Sequence, residues 1–123
     1  MASDNETTVL IVDNQPREAA ALQKQLGFAG FRAEIAITGA GAIKILEEHP
    51  PDVVLLAASL SDIDSLEVVA FIRNASRTSQ IPVLAMSAFP HMNGRCLQGA
   101  CDDFVQKPIR ILDLAARIRK SLR

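Results

Sequence analysis

The chain has 123 residues, 49% of them hydrophobic, and a formal net charge of -1. That length suits one domain with a core of its own, and the near-neutral balance excludes a global electrostatic drive toward nucleic acid or an acidic membrane surface. With five Phe, no Trp and no Tyr, the core has to be aliphatic.

Residues 1–7 are polar and acidic rather than charged-then-apolar, so they are read as a flexible N-terminus and not as a secretory leader. The domain is placed at residues 8–123. Val9–Val12 is a short, continuously apolar run ending at Asp13, the pattern of a strand buried on both faces. Asn14-Gln15-Pro16 opens a helix, with Asn14 as the cap and Pro16 in the first turn. It is expected to run to about Leu26, with Ala19, Leu22 and Leu26 inward, ending at Gly27, with a turn at Gly30. Arg32–Ile37 reads as a second strand. Thr38-Gly39 starts a second helix, with Ile43 and Leu46 inward, that stops before Pro50-Pro51.

Val53–Leu56 is a third buried strand, followed by a loop over Ala57–Asp64. Asp64 and Glu67 have capping-box spacing for a third helix through about Asn74. Ile81–Met86 is a fourth strand, and Pro82 places it near a sheet edge or marks its start. Pro90–Gln98 is the least regular stretch, because Asn93-Gly94 opposes a long helix. Asp103–Val105 is a short fifth strand. Lys107-Pro108 leads into a last helix with Ile111, Leu112, Ala115, Ile118 and Leu122 on one face. Cys96 and Cys101 lack a zinc spacing, and only His49 and His91 could assist. They read as free thiols in a reducing compartment, with a local disulfide or redox switch as the alternative.

Five alternations of strand and helix predict an α/β, three-layer fold: a five-stranded parallel sheet with helices on both faces. Chemistry in such sheets gathers beyond the carboxyl ends of the strands. Asp13, Asn14, Ala57, Ser87 and Lys107 fall there. The apolar runs are too short to span a bilayer.

The stretches VLIVDNQP (Val9–Pro16), PDVVLLAASLSDIDSLEVV (Pro51–Val69), IPVLAMSAF (Ile81–Phe89) and GACDDFVQKPI (Gly99–Ile109), in that order and spacing, resemble the response-regulator receiver family of two-component signalling. The resemblance covers nearly the whole chain and implies a flavodoxin-like (β/α)5 receiver fold. It also implies a chemistry: an Asp after the third strand accepts a phosphoryl group, and an acidic pair after the first strand helps to hold magnesium. A hydroxyl after the fourth strand and a Lys after the fifth contact the phosphoryl oxygens. Carried over residue by residue, Asp13 matches the first acid, Ser87 the hydroxyl, and Lys107-Pro108 the Lys-Pro pair. Phe104 falls at a conformational-switch position, as does Ser87. Asn14 replaces the second acid and Ala57 replaces the phosphoacceptor. Ser61 and Ser65 replace the usual Pro and Gly, and the segment after Phe89 looks shorter than usual.

These departures predict a degenerate receiver, a pseudo-receiver that is not an enzyme and signals through protein–protein contacts in the cytoplasm without phosphorylation. Its partners would be a histidine kinase, an effector or another regulator, or a second copy docked through the face of the fourth helix, fifth strand and fifth helix. No nucleic acid or membrane partner is expected, and no cofactor. Asp13 is left as a weak magnesium ligand, because hard divalent ions want several oxygen donors and two carboxylates are gone. The alternative is a phosphoryl-accepting regulator that uses Asp62 or Asp64.

Each residue also has a plainer reading. Asp13 and Lys107 can form a structural ion pair, Asn14 and Asp64 can cap helices, Ser87 can be a loop hydroxyl and Phe104 can be packing. Arg110, Arg117, Arg119, Lys120 and Arg123, against Asp113 alone, can be a solvated face or a dock for an acidic partner.

Overall fold

The computed structural model describes residues 7–89 and 101–122. Five strands form one parallel sheet: β1 (Thr8–Val12), β2 (Arg32–Ala36), β3 (Val53–Ala57), β4 (Val83–Ser87) and β5 (Asp103–Gln106). The described helices are α1 (Pro16–Phe28), α2 (Gly39–Glu48), α3 (Ser65–Asn74) and the C-terminal α4 (Ile111–Ser121). The strand order is β2-β1-β3-β4-β5, the flavodoxin-like winding in which the order reverses between β1 and β3. The expected class and topology are therefore present. The segment Pro90–Gln98, with Asn93-Gly94, Cys96 and His91, lies outside the described residues.

The apolar runs are continuous because both sheet faces are covered. Successive strand residues point to opposite faces. Val9, Ile11, Val53, Leu55, Leu84, Met86 and Val105 join Leu22 and Leu26 of α1 and Leu114 and Ile118 of α4 in one core cluster. Leu10, Val12, Val54, Leu56, Val83 and Ala85 join Leu46 of α2 and Val68 and Ile72 of α3 in the other. The register Val12↔Leu56, Ala57↔Met86 and Ser87↔Gln106 ends the central strands level with one another. Asp13, Ala57, Ser87 and Lys107 thus arrive at one edge.

Several local expectations are corrected. The cap of α1 is Gln15, not Asn14, and it makes no side-chain capping bond; the Asp13 carboxylate instead accepts from the Gln15 N–H at 3.1 Å. The helix passes through Gly27 to Phe28, and among the described residues Gly30 alone takes a positive φ, 99°, where a Cβ would be strained. Strand β2 stops at Ala36. Strand β4 begins after Pro82 and lies inside the sheet between β3 and β5, so the proline's missing N–H falls outside the ladder. Thr38 does cap α2, accepting from the Gly41 N–H at 2.9 Å.

The phase of α4 also differs: Leu114, Ala115 and Ile118 are buried, whereas Leu112 is 84% exposed. Ile111 is half-buried and Leu122 is exposed. Free thiols are not found at Cys101, which is disulfide-bonded. The helix phase has a direct consequence. Leu114→Ala should cost about 2–5 kcal/mol by cavity formation, and Leu112→Ala no more than about 0.5 kcal/mol, as read by urea unfolding. Equal losses would contradict the observed facing of α4.

Candidate functional site

A cleft of about 330 Å³ opens at the carboxyl edge of the sheet, beside the point where the strand order reverses between β1 and β3. Asp13, Asn14, Ala57, Ser87 and Lys107 all line it, with Gln15, Glu18, Ala58, Ser59, Met86, Ala88 and Phe89. Five of the residues singled out in the sequence are thus brought together.

At its centre is a charge cluster. The Asp13 side chain is 3% exposed, and burying a lone carboxylate would be costly. Its Oδ2 meets the Lys107 Nζ at 2.9 Å, and its Oδ1 accepts from the Gln15 N–H. The same Nζ reaches Glu18 Oε1 at 3.0 Å. Burial works against the Lys107 ammonium, but the hydrogen bonds it donates to Asp13 and Glu18 outweigh it and hold the pKa above its ordinary value. Lys107 follows β5, and the Lys107-Pro108 bond is cis. The Lys107 N–H donates to the Ser87 carbonyl at 2.8 Å, which ties this loop to β4. Glu18 was not anticipated. Its only trace in the sequence is its place in the first turn of α1, on the side of the helix facing the sheet's carboxyl edge.

Ala57 ends β3, buried at 4% exposure. Its carbonyl accepts from the Ser65 hydroxyl at 2.6 Å, and Ser65 is itself buried. The serine at this atypical position therefore satisfies a strand-end carbonyl, a role that sequence reading missed. Ser87 is buried, and its Oγ accepts from the Phe89 N–H at 2.9 Å. That places the Ser87 hydroxyl in a local turn of the kind short hydroxyl side chains form with their own backbone.

The other candidates stand apart from the cleft. Phe104 is half-buried against the second core cluster. The Asp64 carboxylate caps α3, accepting from the Leu66 N–H at 3.0 Å. The Asp62 carboxylate bridges to the start of α2, accepting from the Gly39 and Ala40 N–H groups at 2.9 and 3.0 Å. Those two backbone bonds hold its pKa below the usual carboxylate range. Gly39 permits the approach, because a Cβ there would overlap the Ile63 side chain. The basic face of α4 is partly spent within the domain. Arg117 pairs with Asp103 and Asp113, and the Arg119 guanidinium lies 5.3 Å from the centre of the Phe31 ring. Arg110 and Lys120 remain exposed, and Arg123 lies outside the described residues.

The sequence pattern of the response regulator receiver domain matches residues 9–119. The transcriptional regulatory protein KdpE of Mycobacterium tuberculosis is 34% identical over 119 residues, which is 95% of this chain and 51% of KdpE. The chain thus spans about half the length of the curated relatives it matches. Among solved structures, a two-component response regulator from Clostridium difficile superposes with a TM-score of 0.86 at 25% identity, covering 96% of this chain and 97% of that one. The receiver domain of sensor histidine kinase PA1611 from Pseudomonas aeruginosa, solved with magnesium in its active-site cleft, superposes with a TM-score of 0.88 at 22% identity. It covers 94% of this chain and 97% of that one.

The bridge from Asp62 to α2 carries a pH prediction. A carboxylate whose folded pKa is depressed adds stability above its unfolded pKa and loses it as the pH falls through the folded value. Asp62→Ala should lower Tm at neutral pH, and the gap from the parent should close below about pH 4. A gap unchanged by pH would show that the charge of Asp62 is not what holds α2.

Proposed function

The chain belongs to the response regulator receiver domain family, and from that premise we propose that it is a pseudo-receiver, signalling through protein contacts without being phosphorylated. Receiver domains are signalling modules that interact with histidine kinases and effectors in two-component systems. The finer reading rests on Ala57. Phosphoryl transfer to a receiver needs a carboxylate oxygen in line with the donor phosphorus, and a methyl group supplies no lone pair for attack. The groups that would steady the incoming oxygens are engaged as well: Lys107 with Asp13 and Glu18, and the Ser87 hydroxyl with the Phe89 backbone. The domain is read as non-enzymatic and free of cofactors, acting on a kinase, an effector or another regulator. Nucleic acid and membrane are not among its proposed partners.

A phosphoryl-accepting regulator that uses Asp62 or Asp64 is the second reading. The direction of the Asp62 carboxylate, toward the N-terminus of α2, and the capping role of Asp64 weigh against it. The proposed homodimer face includes β5 and α4, and its remaining part falls within residues 90–100, outside those described. A cytoplasmic location belongs to the same reading. No helix among the described residues is long and apolar enough to cross a membrane.

Intact-protein mass after incubation with acetyl phosphate and magnesium tests the reading. The parent should gain nothing, and Ala57→Asp should gain one phosphoryl group. A parent that gains one phosphoryl group, and loses the gain in Asp62→Asn or Asp64→Asn, would establish the second reading instead.

A further inference from the structure

The family resemblance implies a divalent ion beside Asp13, and the donor set in this cleft does not fit one. A magnesium ion asks for near-octahedral oxygen coordination. Here the positions that would add carboxylates hold Asn14 and Ala57, and Asp13 Oδ1 is committed to the Gln15 N–H. Among the described residues, no group of three or more His, Cys, Asp or Glu side chains is placed to hold a metal ion. What does meet the free oxygen of Asp13 is the Lys107 ammonium, at 2.9 Å, and Glu18 closes on the same nitrogen at 3.0 Å.

We propose that the Lys107 ammonium is the resident cation of the cleft: Asp13 and Glu18 hold it where a divalent ion would have to sit, and the domain therefore takes no magnesium. Two carboxylates converge on one lysine nitrogen that is only 20% exposed along its side chain. One of their two negative charges is thus offset from within the chain. The cation is covalently attached to the loop after β5, so it is never lost to dilution or to a chelator. An incoming metal would have to expel the ammonium, leaving Lys107 without its two partners, and would gain only Asp13 as a buried ligand. Glu18 is the positioning residue in this arrangement. It reaches from the first turn of α1 to the loop after β5, and it doubles the negative charge that the ammonium answers.

The inference goes beyond the phosphorylation reading, and the two fail separately. Metal binding by the parent would overturn the resident cation while Ala57 still lacked a nucleophile. The test follows amide signals by NMR as Mn²⁺, a paramagnetic stand-in for magnesium, is added. In the parent, Gln15, Ala58 and Lys107 should lose no more intensity than the exposed acids Glu47 and Glu48. In Lys107→Met, the freed carboxylates should draw Mn²⁺ and broaden Gln15 and Ala58 selectively. In Lys107→Met with Glu18→Gln, that selective broadening should fall several-fold. Selective broadening in the parent overturns the proposal. So does its absence in a folded Lys107→Met, or its full persistence in the double variant. If Lys107→Met does not fold, the parent spectrum decides alone.

Discussion

A single buried ion pair organises the working end of this domain. Asp13 follows β1 and Lys107 follows β5, and β3 and β4 lie between them in the sheet. A carboxylate as buried as Asp13 is tolerated only with its oxygens paired. The lysine and the Gln15 N–H meet that requirement, and both contacts have structural consequences. The bond from Gln15 sets where the chain turns into α1. The bond from Lys107 draws the loop after β5 across the sheet edge, and Glu18 then secures that loop to α1.

Around the pair, polar groups at the carboxyl edge are given over to structural tasks. Ser65 satisfies the Ala57 carbonyl, Ser87 closes a turn with Phe89, Asp62 anchors the β3–α3 loop to α2, and Asp64 caps α3. Phosphoryl chemistry requires groups that are positioned but available, so that their bonds form to the reacting oxygens. In this cleft the bonds are already made within the chain. The fold thus keeps the geometry of a receiver and uses its polar inventory to hold one arrangement.

The sheet was legible because every central strand is buried on both faces and so carries an unbroken apolar run. The site residues were legible because parallel strands that end in register must deliver the residues after them to one edge. What escaped depended on contacts between elements distant in sequence. Leu112 and Leu114 are both compatible with an apolar stripe, and only the packing of α4 against α1 and the sheet chooses Leu114. Asn14 is the better cap by propensity, but the backbone around Gln15 is fixed by the Asp13 carboxylate. Glu18 showed only its place in the first turn of α1 and Ser65 only a departure from the family pattern, since the roles of both exist only once the loop after β5 and the end of β3 are in place. Asp62 drew attention as an acid near the site, yet its bonds run to α2.

Whether the cleft can accept a phosphoryl group separates a pseudo-receiver from a phosphorylated switch. Beryllofluoride mimics an acyl phosphate only where a carboxylate can hold it, so two-dimensional ¹H–¹⁵N NMR of the parent with beryllofluoride and magnesium is the most direct measurement. No movement of the Asp13, Ala57, Ala58, Ser87 and Lys107 amide signals is the predicted result. Concerted shifts at those residues would mean that the cleft still takes a phosphoryl group and that the domain is switched by it.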